Sequence, residues 1–253
     1  MAIKETDYLG GLAKGLSVIE AFTADKERMS ISDVSQITGL DRATARRCLL
    51  TLHTLGYANY DGKYFSLTPR VLRLGTGCLA TMTLPRIIQP LLDSMSDQIG
   101  QSVSTSILDG WEIVYVARSA QQRVMSISLM PGSRLPAYCT SMGRVILAAM
   151  PEEDARAILA LRPLVQRTPN TKHEIGDIMD ELRRVKAQGH AIIDQEVEIG
   201  LRSIAVPILN ARGQTVAALN TGVAAMHADA SELRELYLKP LLELQQAVRP
   251  MLK

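Results

Sequence analysis

One stretch constrains the fold of this chain more than any other: MSISDVSQITGLDRATARRCLLTLHTLGYANYDGKY, residues 29–64. Asp41 stands just before an apolar-periodic run, where its carboxylate can cap the first free backbone N–H groups and suits the positive helix end. The spacing predicts a helix from Arg42 to about Leu55, stopped by Gly56. At about 100° per residue, Ala45, Cys48, Leu49, Leu52 and Leu55 share one face, while Arg42, Ala43, Arg46, Arg47, Leu50, His53 and Thr54 fall on the opposite arc. A shorter helix, Ser32 to about Thr38, precedes it across the turn Thr38-Gly39-Leu40. Two helices joined in this way predict a helix-turn-helix, whose second helix enters the major groove of DNA.

The chemistry of the second helix agrees. No acidic side chain occurs between Asp41 and Asp61. Ala43, small among arginines, permits close approach to a groove, and the arginine fork fits phosphate and guanine edges. Segments Tyr57–Tyr60 and Lys63–Leu67 flank Asp61-Gly62, a two-residue hairpin signal that adds a wing. A basic stripe by itself more often marks a solvated face. The full order of capped short helix, glycine turn, capped basic helix and hairpin favours DNA. The candidate contacts to double-stranded operator DNA are Arg42, Ala43, Thr44, Arg46 and Arg47 on the helix, with Lys63 on the wing.

A chain of 253 residues suits two domains. Its net charge is only +2, and the basic excess sits before Leu84, which favours site-specific over indiscriminate binding. Cys48, Cys78 and Cys139 are scattered, with no CxxC pair and no histidine at metal-ligand spacing. Free thiols in a reducing cytoplasm, no metal and no cofactor are the expectations. The N-terminus lacks the apolar run of a signal peptide, and no stretch approaches the roughly 20 apolar residues of a membrane span. A cytoplasmic protein with no membrane partner is expected.

A first helix is predicted from about Gly15 to Phe22, where Leu12, Leu16, Ile19 and Phe22 recur at helical spacing and would pack under the two helices above. After Thr68-Pro69, Arg70 to about Thr83 reads as a linking helix, and an amphipathic helix through Ile87, Leu91, Met95 and Ile99 ends at Gly100. The predicted domains are therefore 1–68, a winged helix-turn-helix; 69–83, a linker helix; and 84–253. Apolar residues on the linking segments predict a dimer seam, since operator readers commonly pair two half-sites.

From Gln101 the period changes. Val103–Leu108 and Trp111–Arg118 form a hairpin around Asp109-Gly110, with a third strand at Val124–Met130. Helices are predicted at about Ser141–Met150, Glu152–Leu161 and Glu174–Gln188, then a strand at Ala191–Glu196. A second hairpin, Ser203–Leu209 with Thr215–Thr221, leads to a closing helix from Ala230 to Met251. The class is α+β: an antiparallel sheet with helices against its faces, leaving a cup between sheet and loops.

LPAYCTSMGRVILAAM at 135–150 and DQEVEIGLRSIAVPI at 194–208, downstream of a winged helix-turn-helix, resemble the IclR family of bacterial transcriptional regulators over nearly the whole chain. GSRLPAYCTSMGR is similar to the branch that controls protocatechuate and β-ketoadipate catabolism. The resemblance implies a GAF-like C-terminal domain that binds a small organic acid, aromatic or ketoadipate-like. It also implies homodimers that often associate into homotetramers, and control of aromatic-acid catabolism genes. By position in the family motif, Ser141 and Met142 would offer backbone donors where a loop turns into a helix. Asp194, Ser203 and Asn220 would face the effector from strands, with Arg134 and Arg144 adding charge nearby. Asp194, Glu196 and Glu198 alternate, so an extended segment would point them to one face, where one acid could receive a ligand hydroxyl. The plainer readings are a helix cap for Ser141, a solvated edge strand for DQEVE and a turn residue for Asn220.

Two other classes compete. One is an enzyme acting on a small carboxylate with Cys139 as nucleophile, since a helix start can lower a thiol pKa. Against it, the chain has no GxSxG elbow, P-loop or GxGxxG, and His53, His173, His190 and His227 sit in no nucleophile or metal motif. The expectation is that the chain is not an enzyme. The other class is an interaction module with no small ligand. The DNA reading makes a direct prediction: Arg46→Ala should cost about 1–3 kcal/mol of operator affinity and relax preference at one base position if Arg46 reads a base edge. Unchanged operator binding in a gel-shift titration would remove this helix from the interface.

Overall fold

The computed structural model describes residues 4–23, 25–121 and 129–252, and the chain divides into two units, Met1–Thr81 and Met82–Lys253. The first unit contains α1 (Gly10–Glu20), α2 (Ile31–Thr38), α3 (Arg42–Thr54), β1 (Ala58–Tyr60), β2 (Phe65–Leu67) and α4 (Leu72–Thr81). A capping box starts α2: the Ser30 hydroxyl accepts from Asp33 N–H while the Asp33 carboxylate accepts from Ser30 N–H at 2.8 Å. Gly39, at φ +69°, makes the left-handed turn that ends α2 and frees the chain to start α3 at a new angle. Asp41 then caps α3 by accepting from Thr44 N–H at 2.9 Å.

Val18, Met29, Val34, Ala45, Leu49, Leu52 and Phe65 form the core of this unit. Of the apolar face expected for α3, Ala45, Leu49 and Leu52 are buried, Cys48 is half-buried, and Leu55, at the C-cap, is exposed. α1 begins at Gly10, earlier than its periodicity predicts, and packs through Val18, leaving Leu12 and Leu16 exposed instead of beneath the other helices. The wing differs from its sequence signal. Tyr60 pairs with Phe65, so four residues, 61–64, connect the strands in place of a two-residue turn. Asp61 explains why: its Oδ1 accepts from Lys63 N–H at 3.0 Å and Tyr64 N–H at 2.8 Å, and its other oxygen pairs with Arg28. The carboxylate organises the wider loop.

The second unit contains α5 (Thr83–Ile99), β3 (Ser102–Asp109), β4 (Glu112–Ser119), β5 (Arg134–Pro136), α6 (Ser141–Ala148), α7 (Glu152–Leu159), α8 (Ile175–Gln188), β6 (Ala191–Asp194), β7 (Leu201–Leu209), β8 (Thr215–Ala224) and α9 (Leu233–Val248). The strands form one antiparallel sheet ordered β5-β4-β3-β8-β7-β6. Both faces are covered. Val103, Ala117, Ile204, Val206, Ala217 and Leu219 pack with Ile88 and Leu92 of α5 and Leu241 and Leu244 of α9. Ile113, Tyr115, Ala205 and Ala218 pack with Met142 and Val145 of α6 and Ile178 and Leu182 of α8. This is the α+β architecture that the hairpins and intervening helices predict.

The strand expected at Val124–Met130 falls largely outside the described residues. β5, where the sequence offers no strand signal, pairs with β4. The DQEVE segment departs from its alternating pattern: β6 stops at Asp194, Gln195 takes φ +57°, and 195–200 turn back toward β7. Asp194, Glu196 and Glu198 therefore do not share one face of a strand.

The Asp61 contacts carry a pH prediction. Backbone N–H donors and Arg28 hold its carboxyl down at about 2, below the usual aspartate value of 3.8. A depressed pKa favours the closed wing above the ordinary value, and that preference is lost as the pH falls toward and through about 2. The amide shifts of Lys63 and Tyr64 should titrate in this window in the wild type and not in Asp61→Asn.

Candidate functional site

In the first unit, Arg42, Ala43, Arg46 and Arg47 are exposed along α3, and Lys63 is exposed on the wing. Among the described residues no ion pair ties Arg42 or Arg46, so their charge is available to a partner. Thr44 is the exception in the predicted set. It is 7% exposed, its N–H goes to Asp41, and its hydroxyl accepts from Arg47 at 3.2 Å. Its part is to hold the helix start. Lys63 Nζ lies 4.9 Å from the Tyr64 ring centroid and the Arg28 guanidinium 5.3 Å from it, so two cations border one aromatic ring on the wing.

In the second unit, α6 starts against the sheet. Thr140 caps it by accepting from Gly143 N–H at 3.2 Å. A Cβ at Gly143 would lie 2.2 Å from the Ala137 carbonyl oxygen, so only glycine lets α6 dock this closely on the preceding turn. The approach brings Ser141 Oγ within 2.9 Å of Ser203 Oγ on β7 and Met142 Sδ within 3.2 Å of Ser106 Oγ on β3. The N–H groups of Ser141 and Met142 lie in the first turn, where a helix supplies no acceptor of its own.

Beside this contact is a pocket with about 460 Å³ of empty space, its open mouth included. Polar groups from Ser102, Arg118, Ser203 and Asn220 line the sheet side, Thr140, Ser141 and Met142 the helix side, and Leu129, Leu135, Val197 and Leu201 the apolar walls. Four of the six residues expected at an effector site, Ser141, Met142, Ser203 and Asn220, line it. Arg134 and Asp194 do not. Arg134 is engaged at the edge strand by Glu112 and Asp109, both at 2.8 Å, contacts that raise its pKa against the opposing pull of desolvation. Asp194 pairs with Arg202 at 2.7 Å, and Arg202 also donates to the carbonyls of Ala225 and Ala228. These charges are spent on holding loops. Arg144, 1% exposed, pairs with Glu196 at 2.7 Å and donates to Tyr138 O at 2.9 Å. It fastens α6 to the turn after β6.

Arg118 is the pocket residue that sequence reasoning missed. Its Nη1 donates to Ser104 Oγ at 2.7 Å, while its Nε is buried with no partner. Burial pulls its pKa down, and a guanidinium stays charged through such a shift. The reason it was missed is a bulge. The β3–β4 register shifts between Thr105 and Ser106, which oppose Ala117 and Tyr115, so Val116 is an extra residue. Tyr115 and Arg118 then both reach the pocket, where strict alternation would separate them.

Cys139 is buried beneath the same helix start, its thiol pushed up to about 12, chiefly by desolvation. A thiol in that state is not a nucleophile at neutral pH. Among the described residues no cluster of histidine, cysteine or acidic side chains could hold a metal ion, and no helix is long and apolar enough to cross a membrane.

A basic helix in a winged helix-turn-helix, followed by a helix-covered antiparallel sheet with a polar-floored pocket, defines a transcriptional regulator with a ligand-binding domain. The chain belongs to the IclR family: the IclR helix-turn-helix domain matches residues 11–62, and the C-terminal domain of bacterial transcriptional regulator IclR matches residues 76–249. It is 45% identical to the Pca regulon regulatory protein of Pseudomonas putida over 94% of this chain and 82% of that one. It is 40% identical to the p-hydroxybenzoate hydroxylase transcriptional activator of Acinetobacter baylyi over 86% of this chain and 82% of that one. The inducer-binding domain of a PobR double mutant from Acinetobacter, solved with 3-hydroxybenzoic acid, superposes with a TM-score of 0.63 at 30% identity, covering 68% of this chain and all of that one.

The tight docking of α6 makes a prediction. Gly143→Ala should destabilise the protein by about 1–3 kcal/mol, because the new methyl meets backbone that must shift. Urea unfolding checks it, and an unchanged midpoint would mean that α6 can move away without loss.

Proposed function

We propose that this chain is an operator-binding transcriptional regulator that senses a small aromatic acid and controls genes for aromatic-acid catabolism. Residues 1–68 read the operator through Arg42, Ala43, Arg46, Arg47 and Lys63; residues 69–83 link; residues 84–253 bind the effector. The pocket carries this reading. It combines apolar walls with polar groups that converge from the sheet and from the start of α6, the make-up of a small-ligand site. Ser141, Met142, Ser203 and Asn220 are effector contacts in this proposal. The relatives named for the Pca regulon and p-hydroxybenzoate hydroxylase, and the inducer-binding domain solved with 3-hydroxybenzoic acid, support an aromatic acid.

The protein works in the cytoplasm, without enzymatic activity, as a homodimer or homotetramer. Leu9, Leu12 and Leu16 at α1 and Leu72 and Leu74 at α4 expose apolar side chains that a second copy would cover. Thermal unfolding of the whole protein against protocatechuate, 4-hydroxybenzoate, β-ketoadipate, pyruvate and glyoxylate tests the sensor. An effector should raise the midpoint with concentration. A shift with the aromatic acids and none with pyruvate or glyoxylate is expected. A shift only with the short keto acids, or with none of the five, would overturn the aromatic reading.

A further inference from the structure

The arginines around the C-terminal pocket differ in what neutralises them. Arg134 has Asp109 and Glu112, and Arg144 has Glu196. Arg118 has a serine hydroxyl. Among the described residues no carboxylate pairs with it, none of the residues lining the pocket is acidic, and segment 122–128, QRVMSIS, contains no Asp or Glu. Holding a guanidinium among apolar walls without a counter-charge is unfavourable, and its Nε is buried with no acceptor at all.

A second group is in the complementary position. Asn220 Oδ1 is buried with no donor. The strand register sets the two residues in one row: Arg118 pairs with Ser104, and Ser104 pairs with Asn220, across β4, β3 and β8. Two strand spacings of about 4.8 Å separate their backbones, and the bond to Ser104 leans the guanidinium toward Asn220. The pocket floor thus presents a cation that lacks an anion and, beside it, an acceptor that lacks a donor.

We propose that Arg118 is the charge-selecting residue of the effector pocket: it takes the effector's carboxylate, Ser104 holds the guanidinium in place, and Asn220 Oδ1 accepts from a hydroxyl of the same ligand. This rests on reading the pocket as the effector site and narrows the ligand class to hydroxylated aromatic carboxylates. The competing anchor is the start of α6, whose N–H groups at Ser141 and Met142 also suit an anion.

Calorimetric titration of the full chain with 4-hydroxybenzoate, its neutral analogue 4-hydroxybenzamide, and benzoate separates these possibilities. The wild type should bind the acid about ten- to a hundredfold more tightly than the amide, the usual worth of a charged hydrogen bond. In Arg118→Gln the acid-to-amide ratio should fall to near one, while Arg118→Lys should keep part of it. In Asn220→Leu the preference for 4-hydroxybenzoate over benzoate should vanish with the acid-to-amide ratio intact. If Arg118→Gln does not fold, Ser104→Ala tests the same contact, and should weaken the acid with the amide unchanged. An unaltered acid-to-amide ratio in Arg118→Gln, or in its place Ser104→Ala, would move the carboxylate to α6 and overturn the proposal while the sensor reading stands. A wild type that binds none of the three compounds would overturn the proposal, and the sensor reading would fall with it only if protocatechuate and β-ketoadipate also leave the unfolding midpoint unmoved.

Discussion

The pairing of β3 with β8 is the contact on which the rest of the C-terminal unit depends. Each belongs to a hairpin that is local in sequence, β3 with β4 and β7 with β8, and a lone hairpin buries little. The long-range ladder from Ser102–Gly222 to Ser106–Ala218 joins them into one sheet, reinforced by the buried bond from Thr221 Oγ1 to Ser102 O at 3.1 Å. Only then do both faces become wide enough to take helices, α5 and α9 on one side and α6 and α8 on the other. The pocket floor crosses this seam, since its polar row runs over β4, β3 and β8.

Electrostatic compensation divides the arginines of this unit by task. Arg144 and Arg202 are matched to acids and fasten the chain, Arg144 between α6 and the turn after β6, Arg202 between β6 and the segment after β8. A buried pair of the first kind adds little net stability, yet losing one partner strands the other charge. It specifies an arrangement more than it strengthens one. Arg118, matched only by a hydroxyl, is of a different kind, and so are Arg42 and Arg46 on α3, which face solvent without an acid partner among the described residues.

Much of the fold could be read from the sequence because its signals are local. Caps at Asp41 and Thr68, glycines at 39, 100 and 189, and the two hairpins each declare themselves within a few residues. The site was less legible. Ser141, Met142, Ser203 and Asn220 were reached through a motif resemblance, whereas Arg118 is turned into the pocket by a bulge that depends on the partner strand. Arg134 and Asp194 were plausible as charges near the site, and which acid or base neutralises a side chain is decided by tertiary pairing. The wing shows the same limit on a small scale. Asp61-Gly62 marked the turn, but the loop widened because the Asp61 side chain found two backbone donors and an arginine.

The Arg144–Glu196 pair has a consequence for how this pocket could diversify. It welds the α6 roof to the 195–200 turn, and that turn is further tied down where Thr168 and Thr171 donate to the carbonyls of Gln195 and Glu196. Roof and one wall therefore form a single clasp, sensitive to any change in shape. The sheet floor carries no such weld, because its side chains project from a backbone ladder that holds whatever they are. Descendants of this chain that meet new ligands have an open route in repainting the floor, residue by residue, beneath a clasp that stays as it is.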